Sequence, residues 1–487
     1  MTYFFAGICL LLITLTNPGC NGCCCSKDCK QPHAIYRNTD SGFKPNDSQI
    51  LVFHTATTNE YVNQWLDSIG GKYGDISVYL GCRACSDSSL LILDGAGVKA
   101  WVQTGTAPPG GSGKDKGPSG GDTTSDGRDT MYYCRNLTIL VPELNQDSPL
   151  IVPPSYIPLT PVWSTTTGTT MVGVLDTGID TALLPKFKRF SSPASCPEPD
   201  AVSGWNFSYN SKDVTDDYRA KHGTVVTRFI LDQVGNLKNN DVSILPVKVF
   251  DSTGATNLSV ILCGLSYAKD RGAQIINASF GFYARRTTSA VDGIDSGGLL
   301  LEKYVEKYLT ANHILLIAAA GNTEGYEREV FIPNPDNAAT LRNLDSVSFY
   351  PASLSRRLSN VITVTTTYAD STGQVTPNQN FSPNVVGIGV VADQFLNGMP
   401  GSDCVFLNPI VNKFANGSSF AAPIATGKIA AFYQLLPASG GNNYDGVVGA
   451  LLKSGQLRIP PPLINPAETA ITPLGATMVK KGAYIRK

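Results

Sequence analysis

The chain has 487 residues, enough for a large core and more than one domain. Lys plus Arg (38) and Asp plus Glu (39) nearly cancel, to a net charge of −1, which argues against nucleic acid or an anionic surface as the partner. Charged residues make up 16% of the chain, against a usual level of about 25%, while Gly (47) and Pro (31) are plentiful; this balance suits a loop-rich exported protein and not a coiled coil.

Phe4 to Leu15 is a short apolar run that stops before Thr16-Asn17-Pro18-Gly19-Cys20. It is too short to cross a bilayer comfortably and is placed like the apolar part of a signal peptide, so residues 1–19 read as a signal, although no Lys or Arg precedes the run. Cys20 follows a small residue just after the run and resembles a bacterial lipoprotein acylation site, with Asn17 where Leu is usual. Cys23, Cys24, Cys25 and Cys29 follow, and a cysteine-rich tether closed by disulfides explains residues 20–47 equally well. Both readings put the mature protein outside the cytoplasm, either secreted or held at the cell surface by a membrane lipid anchor.

A small α+β domain is expected over residues 48–141. Ile50–Phe53 is strand-like, and Thr58–Ile69 sets Tyr61, Val62, Trp65, Leu66 and Ile69 on one helical face. Ile76–Leu80 and Leu90–Leu93 read as strands, Gly97–Gln103 as a short helix and Tyr132–Val141 as a strand. The order β-α-β-β-α-β is a ferredoxin-like pattern. Thr104–Asp129, rich in Gly, Ser, Pro, Lys and Asp, reads as a mobile loop. Cys82-Arg83-Ala84-Cys85 lies between two strands; with no His or second such pair nearby, a disulfide clipping a surface loop is favoured over a redox or metal site. Residues 142–170, with prolines from Pro142 to Pro161, read as an extended connector.

From Met171 the texture changes. Met171–Leu175, Ile244–Phe250, Gln274–Ile276, Ile314–Ala320, Val361–Thr365 and Val385–Val391 are apolar runs, and helical patterns at His222–Val234, Leu258–Arg271 and Leu299–Ala311 separate several of them. Fully apolar strands alternating with helices imply a doubly wound, mostly parallel sheet over residues 171–455, whose site gathers at the carboxyl ends of the strands. Two more helices, one after Ser419 and one at Tyr444–Leu452, close this domain, and residues 456–487 form a tail with no assigned role. Pro193–Asn210, Glu324–Asp345 and Gln394–Lys413 read as surface insertions.

The polar residues of interest sit where such a fold would gather them. Asp176 ends the first strand in Val174-Leu175-Asp176-Thr177-Gly178, and His222 begins a helix in Lys221-His222-Gly223-Thr224. Asn277-Ala278-Ser279-Phe280-Gly281 and Ala319-Ala320-Gly321-Asn322 each end a strand in small residues. Asn416-Gly417-Ser418-Ser419-Phe420-Ala421-Ala422-Pro423 puts Ser419 at a helix N-terminus, where unpaired N–H groups and the dipole favour developing negative charge. Each segment alone has a plain explanation as a turn or cap.

Together, and in this order, the segments resemble the subtilisin-like serine peptidases, the subtilase family, over roughly Met171 to Leu452. The resemblance implies a subtilisin-like α/β fold and a serine endopeptidase in which Ser419 is the nucleophile, His222 the general base, Asp176 the residue that orients it and Asn322 an oxyanion donor. Ser279, Phe280, Gly281 and Ala319, Ala320, Gly321 would form the two walls of the primary specificity pocket, with backbone groups open to an extended protein or peptide substrate. No cofactor and no metal are implied. By position and pattern, the domain over 48–141 resembles the family's propeptide, which assists folding and acts as an intramolecular inhibitor. The departures are Lys221 where Gly is usual, Val226-Thr227-Arg228 for Val-Ala-Gly, Ser418 for Thr and Phe420 for Met. Those altered flanks keep two other readings open: a catalytically silent scaffold or binding protein on the same fold, and a peptide-processing transpeptidase using the same triad.

Overall fold

The computed structural model describes residues 34–36, 48–55, 59–80, 82, 89–104, 121–123, 130–141, 170–184, 204–234, 242–283, 297–322, 342–368, 375, 379–395, 404–408, 410, 413–436, 442–454, 457–458 and 484–486. The expected signal segment, Cys20 and its neighbouring cysteines, Cys85 and the proline-rich connector up to residue 169 lie outside them.

The N-terminal domain runs β1 (Ala34–Tyr36), β2 (Ile50–His54), α1 (Asn59–Tyr73), β3 (Ile76–Leu80), β4 (Leu90–Asp94), α2 (Ala96–Thr104), β5 (Gly121–Thr123), β6 (Thr130–Arg135) and β7 (Thr138–Leu140). Strands β3-β4-β2-β6 lie antiparallel in the ferredoxin-like order, so the predicted pattern is present. Three details differ from the expectation. β1 joins the sheet from the region read as tether, β5 pairs with β6 from the region read as loop, and Tyr132–Val141 divides into two strands. The second of these, β7, leaves its own sheet and pairs with β11 (Ala255–Asn257) of the following domain.

The larger domain is built on a nine-stranded sheet. Its order is β9 (Trp205–Asn206), β10 (Val242–Lys248), β8 (Thr170–Asp176), β12 (Ile275–Ala278), β14 (Leu315–Ala319), β16 (Val361–Thr367) and β17 (Val386–Val391), continued by β22 (Tyr484–Arg486) and β21 (Leu457–Arg458). All neighbours are parallel except β21, as the uninterrupted apolar runs require. Alternate side chains of each strand feed two cores. Leu175, Ile276 and Leu316 face α4 (Leu258–Asp270) and α5 (Gly297–Val305), while Val174, Ile275 and Leu315 face α3 (His222–Val234), α6 (Ser418–Ala431) and α7 (Tyr444–Lys453). Gly427 brings α6 onto α3, since a Cβ there would lie 2.6 Å from the Ile230 carbonyl oxygen.

Segments read as insertions or tail do more than cover the surface. Trp205 is buried in the edge strand β9, and Arg342 and Leu344 are buried too. Gln394–Lys413 carries most of a three-stranded sheet, β18 (Gln394–Phe395), β19 (Cys404–Asn408) and β20 (Lys413–Asn416), which seats Phe406 against Phe229 at 6.2 Å between ring centres. The tail contributes β22 to the main sheet. Their apolar residues are too few and too scattered to show a period. The short strands β13 (Phe282–Tyr283) and β15 (Phe349–Tyr350) form a separate pair.

Cys82 does not close a local loop. It is bonded to Cys263 in α4, across a sequence separation of 181, and so ties the N-terminal domain to the larger one.

Candidate active site

Asp176 is the last residue of β8, and His222 the first of α3. Both are buried, and Asp176 Oδ1 lies 2.8 Å from His222 Nδ1 while also accepting the Thr177 N–H at 2.7 Å. Gly223 makes the approach feasible: a Cβ at that position would meet the Gly178 carbonyl oxygen at 2.3 Å and Asp176 Cβ at 3.0 Å. The Gly223 N–H instead reaches Thr177 Oγ1 at 2.8 Å.

Lys221, where the family usually has Gly, adopts a left-handed φ of 53°, which explains the usual choice. Its side chain is tied down on both sides: Nζ donates to the Asp216 carbonyl and faces Asp180 Oδ2 at 3.3 Å. Arg228 packs within the buried part of α3 and pairs with Asp232 at 2.7 Å.

Asp216 was not singled out from the sequence. Its fully buried carboxylate accepts the Thr224 N–H at 3.0 Å and the Thr224 hydroxyl at 2.7 Å, so it caps the helix that starts with His222. An Asp in the loop leading into a helix start was the available signal. Burial pushes the Asp216 carboxyl up, against the bonds from Thr224. For His222, burial is the largest influence and favours the neutral ring. The charge of Asp176, its hydrogen bond and the charge of Asp216 outweigh it, and the imidazole is held above its ordinary value. Lys248, also fully buried, donates to the Thr177 carbonyl and to Asp217 Oδ1 at 2.7 Å, fixing the loop after Asp176 from the β10 side.

Ser419 lies in the first turn of α6, after Gly417 at φ 116°. Gly417 lets the Asn322 amide lie close, since a Cβ there would sit 2.9 Å from Asn322 Nδ2. Asn322 Oδ1 accepts both the Ser418 N–H at 3.1 Å and the Ser418 hydroxyl at 3.2 Å, while Ser418 Oγ accepts the Gly321 N–H at 2.8 Å. With its oxygen held this way, Asn322 presents its NH2 group. The next residue after Ser419, Phe420, packs its ring 5.7 Å from the His222 ring and 5.8 Å from Phe229. It is therefore a buried wall packed against the imidazole. The Ser419 hydroxyl donates to the Ser279 carbonyl at 2.9 Å, and His222 Nε2 has no hydrogen-bond partner. A Ser–His bond therefore needs a rotation of the Ser419 side chain.

Ser279, Phe280 and Gly281 follow β12, and Ala319, Ala320 and Gly321 end and follow β14; all six are buried. Phe280 turns its ring into the core against Phe250 at 5.2 Å. The backbone of the second segment is not open as expected. Ala320 N–H bonds Val364 O, its carbonyl accepts Asn380 Nδ2 at 2.9 Å, and the Gly321 carbonyl accepts the Asn380 N–H at 3.0 Å.

A sequence model described as "Subtilase family" matches residues 167–454. The chain is 27% identical over 262 residues to the cell wall-associated protease of Bacillus subtilis (strain 168), covering 53% of this chain and 22% of that protein, so it spans well under half of that relative's length. Among solved structures it is similar to the epidermin leader peptide processing serine protease (EpiP) from Staphylococcus aureus, at 16% identity and a TM-score of 0.46, covering 90% of this chain and 96% of that one. It is also similar to a cold adapted subtilisin-like serine proteinase, at 18% identity and a TM-score of 0.38, covering 66% and 89%. The match to the family extends over more than half of the chain and includes the elements that carry or precede Asp176, His222, Asn322 and Ser419: the chain belongs to the subtilase family of serine proteases.

Proposed function

We propose that the protein is an exported serine endopeptidase that cleaves protein or peptide substrates through Asp176, His222 and Ser419. The observation that carries this reading is the buried Asp176–His222 pair, 2.8 Å apart, facing the helix start that bears Ser419 with the Asn322 amide beside it. Ser419 would turn from the Ser279 carbonyl to His222 Nε2, give up its proton and attack the substrate carbonyl. His222 would pass that proton to the leaving amine, and water would then release the acyl group. Asp176 would hold the ring in the tautomer that leaves Nε2 as acceptor, and Asp216 would steady the helix end that carries it. The Asn322 NH2 and the Ser419 N–H, in a helix turn whose donors have no helical acceptor, would bind the oxyanion.

The N-terminal domain would act as an inhibitor in cis, and the covalent link through Cys82 supports its staying with the larger domain. Export is supported by the apolar run ahead of Cys20 and by the name of the B. subtilis relative, with secretion and a lipid anchor at Cys20 both open. Labelling with a fluorophosphonate tests the main reading. Modification mapped to Ser419 is expected. A wild-type protein that resists the reagent would favour the silent scaffold, a reading consistent with the Ser419 hydroxyl being engaged by Ser279. Product analysis with added amines would reveal a transpeptidase.

A further inference from the structure

We infer that Phe349 fills the primary specificity pocket, so that the protein cleaves only after residues with very small side chains, glycine, alanine or serine. This rests on the proposed peptidase reading, because it takes Ser279–Gly281 and Ala319–Gly321 as the pocket walls. One glycine from each wall points at the same ring. A Cβ on Gly281 would lie 2.4 Å from Phe349 Cε1 and 2.5 Å from Cζ, and one on Gly321 would lie 2.8 Å from Cε1 and 2.9 Å from Cδ1. A single phenyl edge therefore occupies the gap between the two side-chain-free faces. That gap is where the substrate side chain preceding the scissile bond would have to enter.

The ring is also held in place. Phe349 is paired with Tyr283 across β13 and β15, with ring centres 4.8 Å apart, and its N–H donates to Ser353 Oγ at 3.0 Å. The Tyr283 hydroxyl donates to the Asn322 carbonyl at 2.9 Å and accepts from Asn380 Nδ2 at 2.7 Å. Asn380 in turn is bonded to Ala320 and Gly321. Displacing Phe349 would thus disturb groups that also support Asn322. A large substrate residue would have to break this set, whereas a methyl group or a hydroxymethyl group needs only the rim. A packed aromatic filling a slot excludes larger groups sterically, a stronger discrimination than the modest gain per methylene in an open apolar pocket.

The test uses two peptidyl diphenyl phosphonates, identical except for an alanine or a phenylalanine side chain next to phosphorus, and a small fluorophosphonate that needs no pocket. Each rate is divided by the same protein's fluorophosphonate rate. The wild type is expected to prefer the alanine probe by about 100-fold or more. Phe349→Gly is expected to cut that preference by a similar factor, with Phe349→Leu in between should the glycine variant fold poorly. Equal rates for the two wild-type probes would overturn the inference while leaving the peptidase reading intact, as would an unchanged preference in variants that still label. Failure of the fluorophosphonate itself to label wild-type Ser419 would remove the peptidase reading, and the pocket with it.

Discussion

In the larger domain the parallel sheet is covered on both faces by helices of the same domain, α4 and α5 on one side and α3, α6 and α7 on the other. The N-terminal sheet has its own helices on one face only. Along β2, Ile50 and Val52 pack with Trp65 and Leu66 of α1 and Trp101 of α2, but Leu51 and Phe53 belong to the core of the other domain. β4 divides the same way, with Leu91 and Leu93 inward and Leu90 and Ile92 outward. Phe53 lies 5.2 Å from Tyr304, and Ser89 Oγ is 2.7 Å from the Tyr308 hydroxyl. The two sheets share a pattern of uninterrupted apolar strands and differ in what it means. In one it marks a sheet covered on both faces by helices of its own domain, whose strand ends carry the polar site, and in the other it marks a docking face. An isolated antiparallel sheet usually alternates apolar with polar residues, so runs such as Ile50–Phe53 already signal a second cover.

The largest effect should come from the polar site and should leave both sheets intact. Ser419→Ala is expected to lower turnover by about 10⁶-fold, the loss known for the corresponding serine of subtilisin itself, with an unchanged unfolding transition. A loss of folding in that variant would mean that Ser419 serves the core through Ser279 and not the chemistry. Asn322→Ala is expected to cost less, about 10²–10³-fold. Its side chain also receives two bonds from Ser418, so part of that loss would be misplacement of the α6 start. Ser418→Ala reports on the positioning part, since it removes the hydroxyl bonds to Asn322 and Gly321 while keeping the Ser418 amide bond and the Asn322 NH2.

The docking face should answer to stability instead. Chain entropy alone gives the Cys82–Cys263 bond, closing a separation of 181, up to about 5 kcal/mol, a figure that depends on the loop model. Cys82→Ser should therefore lower the melting temperature without changing Ser419 labelling. After cleavage of the connector, the two domains of the wild type should run together on a non-reducing gel and separate on reduction. Separation without reductant would refute the bridge. Addition of residues 48–149 in trans tests inhibition, but such a fragment would expose Leu51, Phe53, Leu90 and Ile92 and should associate with itself unless the docking face is occupied.

The pattern of what was legible follows the same division. α3 runs over the predicted span of His222–Val234, and the six main strands lie within a few residues of their apolar runs, because burial on both faces leaves a continuous local signal. The strand-end polar residues could be found because each lies in a short motif. Phe349 and Cys263 could not, and Asp216 offered only the general signal of an Asp ahead of a helix start. Asp216 looks like any loop carboxylate, Phe349 like any core aromatic, and Cys263 like one more apolar residue of α4. Their roles arise from contacts with residues distant in sequence, and no period or spacing records such contacts. The CxxC at Cys82 gave a local expectation that the docking of the two domains overrode.

The acid limb of the pH–rate profile probes the buried carboxylates. Neutral His222 must act as base, and Asp176 and Asp216 raise its value in the folded protein above 6.5. Activity should then fall with a midpoint above that value, and Asp216→Asn should move the midpoint down. The same shift stabilises the fold at pH below 6.5, and this contribution is lost as pH rises through the raised value. A midpoint unmoved by Asp216→Asn would leave that residue as a helix cap only.

The smallest effect is expected at Phe420, which bears on whether the core behind His222 is also chemically protected. Its ring is buried between His222 and Phe229, so Phe420→Met is a near volume-conserving change costing less than about 1.5 kcal/mol. A thioether at that place can be oxidised to a polar sulfoxide, which would sit against the imidazole in an apolar pocket, whereas Phe has no such route. The native Met131 and Met171 are buried away from this position. Peroxide should therefore inactivate Phe420→Met faster than the wild type, with a mass gain of one oxygen on the new methionine tracking the loss of activity. Because the side chain is buried, inactivation should also depend on opening of α6 against α3, and should speed up under mild denaturant more steeply than oxidation of an exposed methionine. Equal inactivation of both proteins, with the new methionine intact, would show that the wall behind His222 has no part in oxidative loss.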